Sequence, residues 1–185
     1  VVEFDEKYFK VFGKEYIDKI INISKAHNRT TDKLPENFFW IGFIRLILPN
    51  AKIIHCKRNP KDNCFSIYKN YFPSGNINYA YQLDEIVEYY NQYNNLIDFW
   101  KVTLPDFVYN LDYEKLVLNP KSEIKGLIKF CDLDWNDKCL NFHNNKRSVR
   151  TASDVQARSK LYNSSINSWK RYEKYLSYEF NKILY

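Results

Sequence analysis

The residues best suited to chemistry begin at Arg58, directly after a short apolar run. A guanidinium can bind a phosphate through two parallel hydrogen bonds. Asn59-Pro60 turns the chain, and the positive N-terminal end of the helix predicted after it faces the same point. Ser66, within that helix, adds a hydroxyl donor. The pattern predicts a site for a terminal phosphate without a metal; the alternative is an arginine paired with an acid and a serine facing solvent.

A second candidate is Lys33, in the sequence Thr-Asp-Lys-Leu-Pro at 31–35. The proline restricts the backbone before it, so the lysine lies on a stiff, extended piece of chain. A fixed ammonium group can neutralise charge that develops on a leaving oxygen. Because Lys-x-Pro also occurs in ordinary surface turns, this motif gains meaning only in combination with the others.

Two further motifs lie later in the chain. Tyr113 ends a predicted strand, where its ring can line a nucleotide pocket and its hydroxyl can reach a phosphate; an ordinary core tyrosine is the alternative. A basic, hydroxyl-rich run at 147–153 continues to an aromatic helix. That run suits a lid over an anion, and the alternative is a solvated basic loop.

Strand and helix patterns along the chain position these motifs. Apolar residues at helical spacing predict helices at 3–26, 36–48, 60 to about 71, 83–99, 120 to about 131, 165–172 and 177–184. Short apolar runs predict strands at 51–57 and 107–113. Either Asn59 or Asp62 is suited to cap the helix after the first strand.

This alternation predicts an α/β fold with a parallel sheet flanked by helices. Ligands bind such sheets at the carboxyl ends of the strands. Two strands are few for a sheet of this kind, and the chain begins with Val1 rather than Met. We therefore predict that residues 1–185 form a single domain, the C-terminal part of a larger unit whose first strand and phosphate loop lie upstream.

Composition narrows the function classes. The chain has 185 residues, 45% of them hydrophobic and 18% aromatic, which excludes a disordered segment. The net charge of +6 favours anionic partners. No apolar run approaches the roughly 20 residues that span a bilayer. The four cysteines and three histidines show no metal-ligand spacing, so we predict no metal, reduced thiols and a cytoplasmic location.

The order of the motifs resembles that of the sulfotransferases that use 3′-phosphoadenosine 5′-phosphosulfate (PAPS). The shared segments are Asp-Lys-x-Pro-x-Asn (32–37), Pro-x-Ala-Lys-Ile-Ile (49–54), Arg-x-Pro-x-Asp (58–62) with Ser66, Tyr-Glu-x-Leu-Val (113–117) and Arg-Thr-Ala-Ser (150–153). The likeness runs from about Thr31 to Tyr175. It is closest to the tyrosylprotein sulfotransferases and to their bacterial relatives, some of which carry tetratricopeptide repeats.

The resemblance implies a role for each nucleotide-contacting residue. Arg58 and Ser66 would hold the 3′-phosphate of the donor, and Tyr113 would contact the nucleotide. Arg158 would belong to the loop that closes over it. Ser153 would both contact the donor and support the transition state.

Other implications concern the reaction. Lys33 would stabilise the transition state beside the bridging oxygen. The fold would be like that of the P-loop NTPases, and the acceptor would be a hydroxyl or phenol on a protein tyrosine, a saccharide or a small molecule. The resemblance implies no metal and no nucleic acid.

The sequence departs from the family in the glycine-rich loop for the 5′-phosphosulfate and in the general base, a Glu upstream of the Lys motif; neither is found. In addition, Ser168 stands before Trp169, where the family often has a basic residue. We therefore predict that the full-length protein is active and that this chain alone is not.

Two alternative functions stay open. One is a P-loop kinase, which the Lys57-Arg58 strand end disfavours. The other is a basic module that binds nucleic acid or an acidic partner by stacking and charge.

Overall fold

The computed structural model describes residues 5–24, 29–72, 77–145 and 159–185. Within these ranges the strands are β1 (Ile53–Lys57) and β2 (Val108–Asp112). The α-helices are α1 (Glu6–Ser24), α2 (Ile41–Ile47), α3 (Pro60–Tyr68), α4 (Leu83–Thr103), α5 (Tyr113–Leu118), α6 (Pro120–Phe130) and α7 (Glu173–Phe180). The described residues also include 3₁₀ helices at Pro35–Trp40, Asn78–Tyr81, Asp137–Asn144 and Ser168–Tyr172.

The two described strands form one parallel sheet. Ile53 pairs with Val108, and Lys57 pairs with Asp112. Since the strands are parallel, their carboxyl ends meet at one edge, where Arg58 follows β1 and Tyr113 follows β2. The predicted α/β class is confirmed in its general form: the described part of the chain is mostly helical, with a small parallel sheet.

Several boundaries differ from the prediction. The helix expected at 36–48 is a 3₁₀ helix followed by α2, because Trp40 (φ −103°, ψ 6°) leaves the α-helical conformation. Tyr113, expected to end the second strand, instead opens α5. The cause is Asp112, whose carboxylate accepts a hydrogen bond from the Lys115 N–H at 3.1 Å and caps this helix.

The two C-terminal helices are also shifted relative to the prediction. A 3₁₀ helix occupies Ser168–Tyr172, and α7 begins at Glu173. The main core joins this C-terminal part to α3 and α4. Its buried members are Cys64, Phe65, Ile86, Val87, Tyr90, Trp169, Leu176, Phe180 and Ile183. The core therefore holds the last part of the chain against α3, the helix that follows Arg58.

Helix α1 packs closely on α2. A Cβ atom at Gly13 would lie 2.0 Å from the carbonyl oxygen of Ile47, so only glycine permits this contact. The Phe12 ring lies beside Phe43 with a centroid distance of 6.3 Å. Within the described ranges, no helix is both long and apolar enough to cross a membrane.

Candidate functional site

Arg58 lies half-buried at the carboxyl end of β1. Its Cζ is 5.3 Å from the centroid of the Tyr113 ring, and its Nη2 donates a hydrogen bond to the Ser165 carbonyl oxygen at 2.9 Å. Its Nε is buried and has no hydrogen-bond partner among the described residues. Leaving a buried donor unpaired costs free energy. Arg58 Nε is therefore an unused hydrogen-bond donor within the described part of the chain.

Tyr113 directly follows β2, as the first residue of α5, and contacts the same segment as Arg58. Its hydroxyl is hydrogen-bonded to Ser165 Oγ at 2.9 Å, and it lies 3.5 Å from the carbonyl oxygen of Tyr162. The segment 162–165 thus rests on both Arg58 and Tyr113. The structure brings these two predicted site residues together at the predicted edge of the sheet.

Asp62 anchors the chain just beyond that segment. Its carboxylate is fully buried and accepts three hydrogen bonds, from Asn167 N at 2.6 Å, Ser168 Oγ at 3.0 Å and Trp169 N at 3.2 Å. These donors lie at the start of the 3₁₀ helix Ser168–Tyr172, so Asp62 caps that helix from a distant part of the sequence.

The structure shows which of the two predicted candidates, Asn59 or Asp62, caps α3. Asn59 caps α3, because its Oδ1 accepts from the Asp62 N–H at 3.2 Å. The backbone N–H of Asn59 donates to Glu114 Oε1 at 3.0 Å. Glu114 therefore ties the Tyr-Glu motif to the turn after β1, a role that sequence reasoning missed.

Ser66 lies in α3, half-buried, two turns beyond Arg58. Its carbonyl oxygen accepts a hydrogen bond from Asn70 Nδ2 at 2.8 Å. Among the described residues, no hydrogen bond joins the Ser66 hydroxyl to Arg58. A shared phosphate contact for these two residues stays a prediction.

Lys33 lies on an exposed, extended segment before the 3₁₀ helix Pro35–Trp40. That segment is tied to α1, because the Tyr16 hydroxyl donates to Asp32 Oδ2 at 2.6 Å. Burial, together with this hydrogen bond, raises the pKa of Tyr16 to about 12, so the phenol keeps its proton. The residue before Lys33 is therefore attached to α1, a contact that the Lys-x-Pro motif did not predict.

Lys33 also lines a cavity of about 600 Å³ between α4, β1 and the segment before α2. Many of its other lining residues are aromatic: Phe38, His55, Phe72, Tyr79, Tyr89, Tyr90 and Tyr93. The rings of Tyr79 and Tyr89 stack at 4.1 Å, and the Phe38 ring meets Tyr93 edge-on at 5.1 Å. The cavity therefore has mostly apolar and aromatic walls, with Lys33 among the residues that line it.

Two predicted site residues, Ser153 and Arg158, lie outside the described residues, as does the basic run 147–153. Their roles stay predictions. All four cysteines are free thiols. In the part of the chain that the structure describes, no three His, Cys, Asp or Glu side chains converge on a potential metal site.

Comparison with known proteins defines the class. A model of the Sulfotransferase family matches residues 4–137, more than two thirds of the chain. The chain belongs to this family, and the resemblance read from its motifs is confirmed. The match includes Lys33, Arg58, Ser66 and Tyr113.

Two of three similar proteins carry names that agree with this assignment. Over 179 residues the chain is 39% identical to an uncharacterized protein of Aquifex aeolicus (strain VF5), covering 96% of this chain and 24% of that protein. It is 22% identical over 140 residues to a putative protein-tyrosine sulfotransferase of Caenorhabditis briggsae, covering 76% of this chain and 50% of that protein. A putative protein-tyrosine sulfotransferase of Caenorhabditis elegans is 24% identical over 145 residues, with 78% and 56% covered. The chain thus spans a quarter to about half of the length of these relatives.

Proposed function

We propose that this chain carries the nucleotide site and part of the catalytic machinery of an enzyme that transfers a sulfuryl group from PAPS to a hydroxyl or phenol. The observation that supports the donor most directly is the buried, unpartnered Nε of Arg58 beside the Tyr113 ring. The 3′-phosphate of PAPS would fill this position with a charge-assisted hydrogen bond.

Other residues are also proposed to contact PAPS. Ser66 adds a hydroxyl to the 3′-phosphate, and Tyr113 contacts the nucleotide. Ser153 and Arg158 are assigned to the donor from the sequence alone. Asp62 supports the site indirectly, because it holds the chain beyond Ser165 against α3.

The reaction is an in-line displacement at sulfur. The acceptor oxygen forms a bond to sulfur as the bond from sulfur to the 5′-phosphate oxygen breaks, and that bridging oxygen takes the electron pair. The Lys33 ammonium stabilises the negative charge on the departing oxygen. A base takes the proton of the acceptor, and no metal is part of the proposed step.

We further propose that β1 and β2 belong to a larger parallel sheet of the P-loop type, within a single sulfotransferase domain that includes residues 1–185. The glycine-rich loop for the 5′-phosphosulfate would lie outside this chain. The length of the relatives supports this proposal. Because two of these relatives are named putative protein-tyrosine sulfotransferases, a protein tyrosine is the first acceptor to test. The cytoplasmic location rests only on the free thiols.

A transfer assay with ³⁵S-labelled PAPS tests the proposal. We expect a form of the protein extended at its N-terminus to move the label to a tyrosine-containing peptide and to release one adenosine 3′,5′-bisphosphate per sulfate. The 185-residue chain alone should transfer far less. Adenosine 5′-phosphosulfate, which lacks the 3′-phosphate, is the matched control donor. Equal transfer from the two donors, or no transfer from PAPS, would contradict the assignment.

A further inference from the structure

Ser165 contacts both residues that lie at the carboxyl edge of the sheet. Its carbonyl oxygen accepts a hydrogen bond from Arg58 Nη2 at 2.9 Å, and its Oγ is hydrogen-bonded to the Tyr113 hydroxyl at 2.9 Å. The Arg58 guanidinium in turn lies over the Tyr113 ring, with Cζ 5.3 Å from the ring centroid. The three residues therefore form a closed set of contacts. Sequence reasoning placed Ser165 only at the start of a predicted helix.

The backbone around Ser165 is fixed by other parts of the protein. The Ile166 N–H donates to the Asn163 carbonyl oxygen at 2.9 Å, which closes a turn around Ser165. Next in the chain, Asn167 has a left-handed backbone (φ 58°), and its N–H donates to the buried Asp62 carboxylate at 2.6 Å. Since Asp62 belongs to α3, the turn is attached to the helix that follows β1. The position of Ser165 is thus set by contacts within the protein.

This attachment matters most for the long side chain of Arg58. An unattached guanidinium samples many rotamers, and ordering it when a ligand binds reduces the affinity. Among the described residues, the Ser165 carbonyl oxygen is the only hydrogen-bond partner of the Arg58 guanidinium. Ser165 is therefore the group that restricts where this cation lies.

We infer that Ser165 is a positioning residue for the sulfuryl donor, because its carbonyl oxygen and hydroxyl hold Arg58 and Tyr113 in the arrangement that recognises the 3′-phosphate. The inference rests on the proposed function in taking these two residues to contact the donor. Ser165 acts through its neighbours and does not touch the nucleotide. Binding groups that are already ordered bind more tightly, since less freedom is lost when the ligand arrives.

Removal of the hydroxyl tests this role by nucleotide titration of the N-terminally extended protein. In Ser165→Ala the bond to Tyr113 is lost, so the turn is held less firmly against both donor-site residues. We expect this variant to bind adenosine 3′,5′-bisphosphate roughly 3- to 10-fold more weakly, the effect of one neutral hydrogen bond. The affinity for adenosine 5′-diphosphate, which lacks the 3′-phosphate, should change much less.

The chain offers a matched control for this substitution. Ser164 is the exposed neighbour of Ser165, and its side chain makes no hydrogen bond to any other described residue. Ser164→Ala should therefore bind both nucleotides as the unmodified protein does. Ser165→Thr keeps a hydroxyl at the position and should restore most of the lost affinity.

A double-mutant cycle with Tyr113→Phe distinguishes positioning from a merely structural role. If Ser165 acts through the Tyr113 hydroxyl, Ser165→Ala should cause no further loss of affinity in the Tyr113→Phe background. A serine that only stabilised the C-terminal segment would cause the same loss in either background.

An unchanged preference for the 3′-phosphate in Ser165→Ala, or losses that add in the double variant, would overturn the inference and leave the donor assignment intact. Failure of the proposed function would appear in the unmodified protein, as equal binding of the two nucleotides, and would overturn both.

Discussion

Asp62→Ala should lower the free energy of unfolding by about 3 to 5 kcal/mol, because each of the three donors left unpaired costs about 1 kcal/mol or more. The Asp62 carboxylate is fully buried and accepts hydrogen bonds from three consecutive residues, 167–169. The truncation leaves these donors unpaired in a region from which water is largely excluded. Urea unfolding with a fixed m-value measures the change.

An exposed acid provides the control for Asp62. Asp84, in the first turn of α4, accepts one local hydrogen bond from the Glu85 N–H. Asp84→Ala should therefore cost less than about 1 kcal/mol. If Asp62→Ala cost no more than this control, the carboxylate would not be the anchor of the C-terminal segment.

Lys33→Ala should reduce kcat of the extended protein by roughly 100- to 1,000-fold, while the dissociation constant for adenosine 3′,5′-bisphosphate changes little. Loss of one group that stabilises charge only in the transition state has an effect of this size. The Lys33 segment is held by Asp32, so the substitution leaves its attachment to α1 intact. Steady-state transfer kinetics and nucleotide titration measure the two quantities separately.

Lys129→Ala is a suitable control for Lys33, because Lys129 is an exposed lysine in the last turn of α6. Its removal should leave kcat within about twofold, as expected for a cation that makes no differential contact in the transition state. A similarly small effect of Lys33→Ala would remove Lys33 from the proposed mechanism.

The sequence was sufficient to predict the elements that position the donor site. Apolar runs bounded by turn residues located both strands to within a few residues, and the intervening helices required the sheet to be parallel. Arg58 and Tyr113 were therefore expected at one edge, and they meet there. These features depend on local pattern and on the rules of connection, which a single sequence contains.

What the sequence did not reveal depends on contacts between distant positions. Asp62 was seen only as a local cap, but its partners lie more than 100 residues later. A hydrogen bond between the side chains of His55 and Asn110 requires the strand register, and one between His55 and Tyr93 requires the rotation of α4. Helix α5 was missed for a local reason. The residues at 107–113 favour a strand, so Asp112 was read as part of that strand and not as a helix cap.

Recognition of the 3′-phosphate by Arg58 is the central feature of the proposed donor site. Calorimetric titration of the extended protein should show that adenosine 3′,5′-bisphosphate binds roughly 10- to 100-fold more tightly than adenosine 5′-diphosphate, as one charge-assisted contact allows. Arg58→Ala should abolish this preference. Arg45→Ala should keep it, because the Arg45 guanidinium donates to the Pro49 carbonyl oxygen and lies over Phe107, away from the donor edge. Equal binding of the two nucleotides by the unmodified protein, or a preference that survives Arg58→Ala, would contradict the donor assignment.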